Sequence, residues 1–191
     1  VLLPHSRFVD RFTYKYFITK KIIFLISKLF NLFDDGQKQF TGFRKHTKAI
    51  DVKKKIGKEY DNFFKFCFVR NPYDHLVSLY FYMRQNKNHK YNKIVNKLDF
   101  SKFISFYLST HPETQSDFVF DKKNNLLVDY VGKFEAFNHD FTKILNLIKV
   151  DVKNEIPHSN KSLLRLKKPY IEYYDIEDMN LVYNYFKEDF M

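Results

Sequence analysis

The chain has 191 residues, 45% of them hydrophobic, and 33 Lys and Arg against 22 Asp and Glu give a formal net charge of +11. Such a chain is long enough for a proper core and too apolar to be disordered by composition. Its charge suits a polyanionic partner (nucleic acid, an acidic membrane surface, an anionic nucleotide or a glycan) or else lysines solvated on ordinary helix faces.

The lone cysteine, Cys67, excludes an internal disulfide framework and a cysteine-based zinc site. It lies in an apolar run and reads as a buried, inert thiol. There are 23 Phe and 14 Tyr but no Trp. Lys, Asn and Ile are also plentiful, the bias of an AT-rich genome, so the aromatics carry no functional weight on their own. No stretch is long enough to span a membrane. The best, residues 22–33, is short and interrupted by Lys28 and Asn31. It lacks the small-residue cleavage site of a signal peptide. The chain begins with Val1, which suits either removal of the first residues or a fragment.

In chain order, Phe17, Ile18, Ile22, Leu25, Ile26, Leu29 and Phe33 recur at helical spacing, which predicts a helix within residues 12–33. Asp34, Asp35 and Gly36 stop it. We take 1–36 as an N-terminal helical segment and 37–191 as the main domain. Residues 37–47 form a basic loop, and 48–60 hold a short helix ending near Gly57. Residues 63–69 are apolar except for Lys65, the pattern of a strand buried on both faces of a parallel sheet. Asn71 then stands as a helix N-cap and Pro72 as the first helical residue. Leu76, Val77, Tyr80 and Phe81 supply that helix's apolar side. Residues 84–97 read as an exposed loop or frayed helix, and 100–108 as a helix. A strand follows at 126–134. Asn138 caps a helix with Phe141, Ile144, Leu145 and Ile148 on its core side. Residues 155–165 are irregular, broken by Pro157. Asp175 caps a last helix in which Met179, Val182, Tyr183 and Phe186 share a face. Strands alternating with helices predict an α/β fold.

The junction at residues 66–80 carries the most chemistry. Ligands of open α/β sheets collect beyond the carboxyl ends of strands, where Arg70 sits. Its guanidinium can hold a phosphate in bidentate fashion. The helix beginning at Pro72 offers N–H groups and a positive dipole end to the same anion. Ser78, eight residues after Arg70, reaches that ligand if the ligand lies along the helix flank. The alternative is that Arg70 pairs with a carboxylate and Ser78 packs against the sheet.

The segment FKFCFVRNPYDHLVSLYFY (64–82) resembles the 3′-phosphate-binding segment of the membrane-associated carbohydrate sulfotransferase family, sulfotransferase family 2. The resemblance continues in DYVGKFEAFNHDFTKIL (129–145), IPHSNKS (156–162) and YYDIEDMNLVYNYFKEDF (173–190), so that roughly residues 40–190 follow the family's order. It implies a P-loop-like three-layer α/β fold, a central parallel sheet flanked by helices, here N-terminally incomplete. It implies transfer of a sulfuryl group from 3′-phosphoadenosine-5′-phosphosulfate (PAPS) to a glycan or glycolipid hydroxyl. Neither a metal nor a specific nucleic acid is implied, and peripheral membrane association is compatible with it.

Arg70 and Ser78 match the residues that hold the 3′-phosphate, with Asn71 between them. Lys161 and Ser162 contact nucleotide or acceptor by the same likeness, and Arg165 adds charge there. Glu135 is a weaker carry-over. His46, in RKHTKAI, resembles a histidine upstream of this motif in related enzymes, and is the general-base candidate; the alternative is a surface histidine in a basic loop. His75 on the motif helix reads as exposed, His139 follows a helix cap, and His158 lies in the Asn-Lys-Ser segment. None has metal-ligand spacing. The family's Pro-Lys-Thr-Gly-Gly-Thr-Ser loop for the 5′-phosphosulfate has no counterpart here; the four glycines stand apart at 36, 42, 57 and 132.

Three readings follow: a PAPS-dependent sulfotransferase, an inactive relative or fragment that binds nucleotide or anionic glycan, and a basic nucleic-acid-binding domain. The last rests on charge alone. The residue bias and the lack of anchor and disulfides point to the bacterial cytoplasm, against a Golgi lumen for a eukaryotic source.

Overall fold

The computed structural model describes Phe43, residues 46–150 and residues 168–190. The helix expected at 12–33, most of the basic loop, and the segment with His158, Lys161, Ser162 and Arg165 lie outside the described residues. The described elements, in order, are α1 (Ala49–Ile56), β1 (Phe66–Val69), α2 (Pro72–Gln85), α3 (Asn92–Val95), α4 (Phe100–Ser109), α5 (Ser116–Val119), β2 (Tyr130–Lys133), α6 (Phe137–Leu147) and α7 (Ile176–Tyr185). Four 3-10 turns join them, at Gly57–Asn62, Phe134–Ala136, Tyr170–Tyr173 and Lys187–Phe190. This is a mixed α/β structure. None of the described helices is long and apolar enough to cross a membrane.

The chain divides into two compact units. Among the described residues, one comprises Phe43, 46–69 and 115–150, the other 70–114 and 168–190.

In the first unit, α1 is a basic helix with Asp51 in its first turn and Lys53, Lys54 and Lys55 in its last, in keeping with its dipole. Gly57 ends it at φ 58, a conformation that favours glycine. β1 and β2 pair in parallel, with Phe66 opposite Tyr130, Cys67 opposite Val131, Phe68 opposite Gly132 and Val69 opposite Lys133. Both strands are shorter than their apolar runs. Phe66 is buried, whereas Cys67, Phe68 and Val69 are partly exposed, so β1 is not covered on both faces as its composition implies. Leu126 makes only an isolated antiparallel bridge to Phe120 before β2 begins.

Lys65, the one charged residue in the β1 run, explains itself in three dimensions. It is 6% exposed. Its Nζ reaches the Asp129 carboxylate at 2.8 Å and donates to the carbonyl of Phe63 at 2.7 Å. Its backbone N–H donates to the same Asp129 Oδ2 at 2.6 Å, and its carbonyl accepts from the N–H of Asp129 and Tyr130. The buried Tyr60 hydroxyl donates to the Leu127 carbonyl at 2.7 Å, fastening the same approach to β2. Burial, and then the negative charge of Asp129, push the Tyr60 hydroxyl up to about 12.

Gly132 lies under the Phe68 ring. A Cβ there would stand 2.7 Å from Cε1, so the close approach itself requires glycine. Phe68 in turn packs on Phe137, 4.6 Å between ring centres, and Phe141. Phe141, Ile144, Leu145 and Ile148 are buried as their spacing predicts. Asn138, however, does not cap α6. The helix already begins at Phe137, Ala136 occupies the cap position, and no side chain caps it.

The second unit is helical. Its core is Leu76, Val77, Tyr80, Phe81 and Met83 of α2, Val95, Phe103 and Ile104, and Val182 and Phe186. Residues 84–97, expected to be exposed or frayed, contribute to it. Val95 is fully buried, because Asn92 anchors α3 by donating to the carbonyls of Met83 and Arg84. Asp99 caps α4 through the N–H of Lys102, and Asp175 caps α7 as expected through the N–H of Asp178. The inner side of α7 differs from expectation. Asp178, Val182 and Phe186 are buried, whereas Tyr183 is exposed. The buried Asp178 carboxylate accepts from the Ser101 hydroxyl at 2.9 Å, and burial raises its pKa.

Candidate functional site

The segment that carries most of the expected site belongs to the second unit, whose first residue is Arg70. Asn71 caps α2: its Oδ1 accepts from the N–H of Tyr73 at 2.9 Å and of Asp74 at 3.5 Å. Pro72 fills the first helical position, where the lack of an N–H costs nothing. The N–H of His75 donates to the Asn71 carbonyl. The expectation that this helix start offers open N–H groups to an anion is therefore corrected. Proline contributes none, and Asn71 occupies the next three.

What the helix presents instead is a row of side chains. Arg70 Nε donates to Asp74 Oδ2 at 2.6 Å, and Nη2 lies 2.6 Å from the same oxygen. The Arg70 side chain is 17% exposed and that of Asp74 14%, so water competes weakly for the pair. Ser78 follows Asp74 by one turn on the same helix face, about 6 Å further along the axis. Its hydroxyl is half-buried and has no hydrogen-bond partner among the described residues. The alternative of a carboxylate partner for Arg70 is thus observed, in the form of Asp74. Sequence reasoning passed over Asp74, although its four-residue spacing from Arg70 was the available signal.

An aromatic cluster clamps the start of α2. The Tyr73 ring meets Tyr170, Tyr174 and Phe190, the last at 4.9 Å between centres. The Tyr174 hydroxyl donates to the Tyr73 carbonyl at 2.7 Å, and the Tyr73 hydroxyl to that of Met179 at 3.2 Å. These contacts order the backbone beside Arg70. His75 is half-buried rather than exposed. Burial, then the neighbouring Arg70 charge, lower its pKa, with Asp189 and Asp74 acting in the opposite sense.

His46 belongs to the first unit. It is exposed, its backbone has φ 57, and its ring meets Phe118 edge to face at 6.4 Å. Histidine tolerates this left-handed conformation better than most residues. Glu135 is exposed, and His139 contacts Asp140 at 3.0 Å. Asp140 is bound instead into a structural role, accepting from the Lys133 N–H at 2.6 Å and from the Tyr130 hydroxyl at 3.2 Å, which ties α6 to β2. Cys67 is half-buried, and burial pushes its thiol up to about 12. Among the described residues no group of three or more His, Cys, Asp or Glu could hold a metal ion.

The family model described as the sulfotransferase family matches residues 27–191. The chain is also similar to a protein of Archaeoglobus fulgidus described as uncharacterized. The two are 26% identical over 109 residues, which cover 51% of this chain and 78% of the relative. No solved structure matches the chain.

Proposed function

Because this chain belongs to the sulfotransferase family, we propose that it transfers a sulfuryl group from PAPS to a carbohydrate hydroxyl. The observation that carries the proposal is the Arg70–Asp74–Ser78 row at the start of α2. It sets a guanidinium and a hydroxyl at one face of a helix. This donor set fits the oxygens of a phosphate, which accept hydrogen bonds and donate none when ionised. PAPS, when bound, supplies the activated sulfuryl group. The chain's own residues account for the rest as follows.

Arg70 supplies the planar, permanently charged donors that suit a 3′-phosphate. Ser78 donates to another oxygen of the same phosphate, and Asn71 keeps the helix start in place. The net charge of +11 raises the local concentration of an anionic donor. His46 is the base that takes the acceptor hydroxyl's proton on a ring nitrogen, its exposure leaving it accessible to a sugar. Lys161 and Ser162 add contacts to nucleotide or acceptor. The acceptor is a glycan or glycolipid, and the β1–β2 pair belongs to a P-loop-like three-layer sheet.

Calorimetry with adenosine 3′,5′-bisphosphate tests the phosphate site directly. Wild type binds it, and Arg70→Ala abolishes binding; no heat at millimolar ligand means that the site is misassigned. Labelled PAPS offered with a glycan panel then tests transfer. His46→Ala abolishes turnover while leaving bisphosphate binding intact. Binding without transfer to any acceptor would favour the inactive, nucleotide-holding relative, and salt-sensitive DNA binding stronger than nucleotide binding would favour a nucleic-acid role.

A further inference from the structure

We infer that Asp74 is a positioning residue for the phosphate site: its carboxylate holds the Arg70 guanidinium in one orientation beside the Ser78 face of α2 before any nucleotide arrives. The inference rests on the proposed phosphate role of Arg70 and adds a residue to it.

Three observations at the start of α2 support it. Two different nitrogens of Arg70, Nε and Nη2, converge on the single oxygen Asp74 Oδ2, each at 2.6 Å, which fixes the plane of the guanidinium as well as its position. Asp74 is itself held by the helix, through the backbone N–H bonded to Asn71 Oδ1 and through the Tyr73 clamp beside it. Both side chains are mostly withdrawn from water, so the pair is neither screened nor interchangeable with solvent contacts as an exposed ion pair would be.

Arginine carries more side-chain freedom than almost any residue, and binding normally has to remove it. A guanidinium already ordered by Asp74 gives up little more when a phosphate docks, and affinity rises by that saving. The same carboxylate also repels the incoming anion, an effect of opposite sign. Ordering dominates, because Asp74→Asn takes away the charged acceptor shared by two Arg70 nitrogens and with it the fixed plane of the guanidinium.

The test compares adenosine 3′,5′-bisphosphate with adenosine 5′-phosphate, which lacks the 3′-group, on the full chain by calorimetry. Wild type prefers the bisphosphate. In Asp74→Asn that preference falls by about three- to tenfold, the range expected for one side chain losing its pre-ordering. Affinity for the 5′-phosphate stays unchanged. Asp74→Glu, which keeps the charge but moves it by one methylene, falls between wild type and Asp74→Asn.

An unchanged or stronger preference in a folded Asp74→Asn protein overturns the inference. If Asp74→Asn fails to fold, Asp74→Glu decides: a preference equal to wild type refutes positioning. Wild type without any preference for the bisphosphate sinks the phosphate site itself, and is distinguishable from all of these.

Discussion

Removing the Asp129 carboxylate damages this protein more than removing the lysine it faces. Lys65 is almost fully buried, while the Asp129 side chain is 41% exposed. In Asp129→Ala the ammonium group loses its counter-charge at 2.8 Å and the Lys65 N–H loses its acceptor at 2.6 Å. The carbonyls of Phe63 at 2.7 Å and Tyr60 at 3.4 Å and the Tyr60 ring at 5.0 Å remain to it. Breaking a buried pair by removing one partner costs about 3–5 kcal/mol. The residual acceptors and the half-open aspartate place this case near the lower end, about 3 kcal/mol. Lys65→Met removes the charge and keeps the length. The exposed aspartate is then solvated and still accepts the Lys65-position N–H, so the cost is about 1 kcal/mol. The difference, about 2 kcal/mol, is roughly a thirtyfold change in the unfolding equilibrium. Urea unfolding of both variants, with hydrogen exchange at the Cys67 and Val131 amides as a local readout on β1 and β2, measures it. A Lys65→Met protein as destabilised as Asp129→Ala would refute the assignment of Lys65 as a buried charge dependent on its partner.

Gly132→Ala drives a methyl group into the Phe68 ring at 2.7 Å and costs about 1–3 kcal/mol of stability, read by thermal unfolding; a neutral change would show that the ring moves freely. His75 makes stability pH-dependent on the acid side. Its folded pKa lies below the ordinary 6.5, so the unfolded chain binds the extra proton first, and stability is lost as pH falls below about 6.5. His75→Gln flattens that slope, and an unchanged slope would assign it to other groups. Cys67, with its thiol pushed up to about 12, reacts with a thiol reagent at pH 8 more slowly in the native protein than in the urea-unfolded chain, and equal rates would show that burial does not hold the thiol neutral.

Much of the local structure was legible because it depends on neighbours in the chain. Asn71 and Pro72 start a helix wherever they stand before an apolar stripe, and Asp175 caps α7 for the same reason. Errors arose where groups outside the local pattern intervened. Asn138 looked like a cap, but the turn at Phe134–Ala136 carries the chain into α6 two residues earlier. Residues 84–97 looked polar enough to be exposed, but Asn92 side-chain bonds to the end of α2 draw Val95 into the core. Asp178 is buried against Ser101, 77 residues away, and no local pattern announces that partner.

The order of motifs and the residues Arg70 and Ser78 are properties of the sequence itself, because the proposed phosphate site needs only a few residue types at fixed spacing about one helix start. The state of those residues is tertiary. Asn71 takes up the first helix amides, Asp74 takes one side of the guanidinium, and the aromatic cluster holds the turn, so the donors at this helix start are side chains rather than backbone amides. Composition cannot say which of a residue's hydrogen-bonding groups are already used. Only the packing that brings donors and acceptors within reach decides that.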